Sequence, residues 1–100
     1  MYSSIIEIKK NVPGETLERL RKTVEKAFSN RAGSVKNSSN NPYKFVFKGG
    51  EDKFGCLELG MLELKRENDV LNQFASWNWV DDEEPDENCD ILKVLAMPVY

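Results

Sequence analysis

The stretch that most constrains this chain is residues 43–64, YKFVFKGGEDKFGCLELGMLEL. In its first part Tyr43, Phe45 and Phe47 alternate with Lys44, Val46 and Lys48, which sets three rings on one face of a β-strand. A polar, glycine-bearing segment, Gly49-Gly50-Glu51-Asp52-Lys53, then suits a hairpin turn. Past the turn Leu57 and Leu59 share a strand face, while Leu62 and Leu64 fall out of phase with them. A β-bulge at Gly60-Met61 would restore the alternation, so residues 43–48 and 54–64 are expected to pair at the centre of a sheet.

Residues 2–10 alternate in the same way, with Tyr2, Ser4, Ile6 and Ile8 on one face, and predict a first strand. Pro13 is placed to open a helix. Leu17, Leu20, Val24, Ala27 and Phe28 then recur at helical spacing, and charges four apart, such as Glu18 and Lys22, support that helix. Residues 34–42, SVKNSSNNP, read as a loop. Val70, Leu71, Phe74 and Trp77 fall at i, i+1, i+4 and i+7, which predicts a second helix capped by Asn68 or Asp69. On such a helix Trp77 and Trp79 would point about 200° apart, so Trp77 takes the core side and Trp79 stays near the surface. Residues 91–99, ILKVLAMPV, read as the last strand, with Pro98 at its end.

The expected order is therefore β-α-β-β-α-β. It predicts an α+β fold of ferredoxin-like arrangement, a four-stranded antiparallel sheet with two helices on one face. The strand order would be 4-1-3-2, with strand one inside the sheet. One hundred residues give room for one core, so 1–100 is expected to form a single domain. An arrangement this widely used says almost nothing about function.

Composition narrows function by exclusion. The chain has no histidine, which removes the commonest general base and metal ligand and any Ser-His or Cys-His nucleophile pair. Cys56 and Cys89 form no CxxC motif and are expected to be reduced, buried thiols. No apolar run approaches the roughly 20 residues of a membrane helix, and no basic-then-apolar leader opens the chain, so a cytoplasmic location is expected. Gly49-Gly50 lacks the Lys-Ser/Thr of a phosphate loop. The aromatic strand lacks the Gly-aromatic-Gly/Ala-aromatic run of RNA-recognition sheets, so its rings are assigned to the core and nucleic acid is not the expected partner.

Charge is unevenly spread. Residues 1–50 carry ten Lys/Arg and four Asp/Glu, whereas residues 51–100 carry four and thirteen. Seven of the ten residues 81–90, DDEEPDENCD, are acidic. Asp86 stands where a calcium loop requires glycine, so neither a metal nor a cofactor is expected. A solvated loop would account for such a run, but clustered carboxylates also steer a basic protein into contact.

On that ground the chain is expected to be a small acidic protein-binding module. It would act as an inhibitor or neutralising protein, of the kind bacteria use for toxin immunity, on a basic partner such as a nuclease toxin. The analogy is one of size and acidity alone. The partner-binding residues would be Trp79, Asp81, Asp82, Glu83, Glu84, Asp86, Glu87 and Asp90. Two alternatives stand beside it. One is a ligand-sensing or regulatory module that dimerises through its sheet; the other is a histidine-free enzyme using Glu58 and Glu63.

Overall fold

Strand β1 (Tyr2–Ile8) is the axis of the fold, and it lies inside the sheet because every second residue it carries can be buried. In the computed structural model, which describes residues 1–29 and 35–96, Ser4, Ile6 and Ile8 are all buried. Helix α1 (Gly14–Ser29) follows, and then strand β2 (Lys44–Gly49). Next come helix α2 (Phe54–Lys65), the short helix α3 (Asn68–Leu71) and strand β3 (Phe74–Asp81). The two-residue strand β4 (Cys89–Asp90) leads directly into helix α4 (Ile91–Ala96). The sheet has four strands in the order β2-β1-β3-β4, and every neighbouring pair is antiparallel.

The mixed class, the antiparallel sheet and the interior position of the first strand are as the sequence implied. The β-α-β-β-α-β order is not the order found, and three segments differ from expectation. Residues 54–64 form helix α2 instead of a strand: its buried positions are Leu57, Gly60, Met61 and Leu64, a 3.6-residue period. Residues 74–81, expected as the end of a helix, form β3. Residues 91–96, expected as a strand, form α4; residues 97–99 of that segment lie outside the described residues.

The register explains how β3 imitates a helix. Glu7 faces Ser76 and Ile8 faces Phe74, so a bulge at Ala75 adds one residue to β3. Phe74 and Trp77 then reach the same sheet face three residues apart, a spacing that mimics a helical turn. Beyond the bulge ordinary alternation sets Trp77, Trp79 and Asp81 together on that face.

Helix α1 lays Leu17, Leu20, Val24, Ala27 and Phe28 on the sheet. Its first turn closes at Pro13, whose carbonyl accepts from Leu17 N–H at 2.9 Å. The Phe28 ring stacks on Phe47 of β2 at 4.0 Å between centroids, and Phe45 lies alongside Phe47. These strand rings are sealed under the helices, as expected, and offer no platform for bases. The loop before β2 is tied to that strand's outer edge. Asn37 Oδ1 accepts from Val46 N–H at 3.0 Å, and Ser38 N–H donates to Val46 C=O at 2.9 Å. Pairing of this kind shields an edge strand from stray partners.

Helices α1 and α2 cross where α2 has no side chain. A Cβ added at Gly60 would stand 2.6 to 2.9 Å from three carbons of the Phe28 ring. That ring is fully buried and stacked, so it has nowhere to move. Gly60→Ala should therefore lose about 1–2 kcal/mol, the overpacking penalty outweighing the gain in helix propensity. Gly55→Ala on the same helix meets nothing within 4 Å and should gain up to about 1 kcal/mol. Urea denaturation of both variants checks this; two changes of the same sign would mean that the crossing is not as tight as described.

Candidate functional site

Alternation along β1 and β3 delivers Tyr2 and Trp79 to one end of the helix-covered face, on adjacent strands. Their rings stack at 5.6 Å with 18° between planes. Phe54, the first residue of α2, stands edge-on to both, 5.0 Å from Tyr2 and 5.9 Å from Trp79. The helix keeps this ring 40% exposed. Together with Met61 and Ile91 the three rings floor an open groove of about 530 Å³ between α2 and the β3–β4 edge. A volume of that order is typical of ligand-binding clefts.

The rim is acidic. Glu58 of α2 borders it on one side, and Asp81, Glu84 and Glu87 border it on the other, with Lys65 as the one cation lining it among the described residues. Glu58, Glu84 and Glu87 make no ion pair among the described residues. Burial, with the carboxylates of Asp81, Glu51, Glu83 and Glu84 adding to it, raises the Tyr2 phenol above its ordinary value, so Tyr2 presents a neutral ring.

The acidic segment is held in shape, contrary to what an unordered loop would show. Asn88 Oδ1 accepts from Asp81 N–H at 2.7 Å, and Asp81 Oδ1 accepts from Glu83 N–H at 3.0 Å. A single 3₁₀ turn at Pro85–Glu87 follows, closed by Asn88 N–H donating to Pro85 C=O at 3.1 Å. Asp90 Oδ1 then accepts from Lys93 N–H at 3.1 Å and caps α4. All four of these bonds use backbone donors that would otherwise face solvent or go unpaired. Among the described residues no three acidic or cysteine side chains converge as a metal-ion site.

Of the eight residues singled out in the sequence, four come together: Trp79, Asp81, Glu84 and Glu87 all line the groove. Asp82, Glu83 and Asp86 are exposed on the same turn but outside it. Asp90 belongs to α4 as its cap, and its pairing with Asn78 sets it on the opposite sheet face. Sequence reading missed Tyr2 and Phe54 as parts of the groove, and named Glu58 only in the enzyme alternative, on a strand. Their signal was the helical period of residues 57–64, which would have set Phe54 and Glu58 a turn apart on one helix face. Glu58 and Glu63, paired in the enzyme alternative, are five apart on α2 and point about 140° from each other. Cys56 and Cys89 are half-buried and not joined in a disulfide. No described helix is long and apolar enough to cross a membrane. Set against family models, curated proteins and solved structures, the chain finds no match.

Proposed function

We propose that the chain is a protein-binding module that docks on a basic protein through the groove between α2 and the β3–β4 edge, in the manner of an inhibitor or neutralising protein. The observation that supports this is an aromatic floor beneath three carboxylates, Glu58, Glu84 and Glu87, that make no ion pair among the described residues. Carboxylates needed for stability alone would be paired or hydrogen-bonded; Glu58, Glu84 and Glu87 have no ion-pair partner among the described residues. Aromatic rings rimmed by charge are the usual make-up of an interface centre, where a few anchors carry most of the affinity. The acidic rim would speed encounter with a basic surface, and salt would slow it. Helix α1 does not line the groove and interleaves Arg19, Arg21, Lys22 and Lys26 with Glu15, Glu18 and Glu25, so its outer face serves as a reference surface.

Site-specific photo-crosslinking in the source cell tests this. A benzophenone side chain at position 87 on the rim, and separately at position 22 on α1, samples the two sides. Position 87 should capture a basic protein that position 22 does not, and Glu84→Gln with Glu58→Gln should weaken the capture. An acidic partner, or the same set of proteins from both positions, would overturn the proposal.

A further inference from the structure

We infer that the groove receives an arginine side chain of the partner, its guanidinium lying against the Trp79–Tyr2 ring pair and its N–H groups on the rim carboxylates. This rests on the docking reading above. The rings and the acids are contiguous, so one cation can meet both. Trp79 is half-buried and Phe54 is exposed, so π-surface remains open at the groove. The face of an aromatic ring attracts cations, tryptophan most strongly. Glu84 and Glu87, three residues apart on the ordered 3₁₀ turn, supply acceptors beside that surface.

Arginine fits this arrangement better than lysine for three reasons. Its guanidinium is planar and can lie flat on a ring, whereas an ammonium is a compact, strongly hydrated charge. It loses less hydration on entering a groove floored by Tyr2, Phe54, Met61, Trp79 and Ile91. Its fork of donors can engage a carboxylate with two bonds while the plane stays stacked. The chain already uses the same contact internally: the Arg21 guanidinium stands 5.4 Å from the centroid of the Phe45 ring.

The test uses the full chain and three peptides on one glycine-serine frame, carrying arginine, lysine or citrulline at the same positions. Binding is read by isothermal titration calorimetry for every variant, and where Trp79 is kept also by tryptophan fluorescence and the indole N–H resonances. Trp77 is sealed, so the indole that responds is Trp79's. The arginine peptide should bind about five- to tenfold more tightly than the lysine peptide, and citrulline should not bind. Trp79→Leu should bring arginine down to the lysine level, while Glu84→Gln with Glu87→Gln should weaken both. Phe54→Ser, at an exposed position, gives a second loss of arginine preference if Trp79→Leu fails to fold. Equal binding of arginine and lysine overturns the inference and leaves acidic docking standing. Equal binding of arginine and citrulline, or of none, overturns it too, and the crosslinking outcome then decides the docking reading separately.

Discussion

Trp77→Ala should remove about 3–5 kcal/mol of stability, much or all of what a domain this size has to lose. Trp77 is fully buried at the middle of β3, opposite Ile6 and edge-on to Phe74 at 5.8 Å. Its Nε1 donates to Ser4 Oγ at 2.8 Å, a bond between two side chains that water cannot reach. Alanine would open a cavity in the core and strip the Ser4 hydroxyl of its donor at once. Trp77→Phe separates the two losses. It keeps most of the ring contact but orphans Ser4, at about 1–3 kcal/mol, and adding Ser4→Ala should recover part of that. Denaturation midpoints for the three variants check the argument. Equal losses for alanine and phenylalanine would place the stabilisation in the hydrogen bond and not in the ring.

The second large effect belongs to α1. Leu20→Ala should cost about 2–4 kcal/mol through lost burial and the cavity left behind. Leu20 is 5% exposed and lies in the core between Leu17 and Val24. Lys22→Ala on the outer face should cost almost nothing, because an exposed cation on a helix contributes little. Chemical denaturation of both variants reads the difference, and similar losses would mean that the wrong helix face has been assigned to the core.

These two residues also show where sequence alone sufficed. Around Leu20, apolar residues recur at one period and polar ones fill every gap, so only a helix buries the first set. Around β1 the alternation of Ser4, Ile6 and Ile8 is equally one-sided. Helix α2 offers no such contrast. Leu59 and Leu62 remain exposed on its outer side while Leu57, Met61 and Leu64 are buried. With apolar residues nearly all round, a two-residue and a 3.6-residue period fit about equally well, and the glycine at position 60 reads as a bulge when it is a helix crossing. For β3 the error had the opposite origin. Its bulge widens the same-face spacing between Phe74 and Trp77 from two residues to three, a helical step, and no local preference reveals that Ile8 waits opposite. Both misreadings are settled by tertiary contacts, Phe28 against Gly60 and Ile8 against Phe74, which lie far apart in sequence. The acidic half of the groove was legible because charge is visible in composition. Of its aromatic half only Trp79 was legible, beside the acidic run; Tyr2 and Phe54 join it from two other elements.

The bond between Ser4 and Trp77 spans 73 residues of chain. At roughly 5–20 residues per second, synthesis places about 4 to 15 seconds between the two ends of that bond. During that interval the middle strand of the sheet exists with at most one neighbour, β2, and its other edge stays open. Long-range strand pairing of this kind is slow because chain closure must come before any contact rewards it. The groove shares the same delay, for Tyr2 meets Trp79 only when β3 joins β1. Groove and fold are thus completed in a single late event, and a nascent chain that has yet to close its sheet has no aromatic floor.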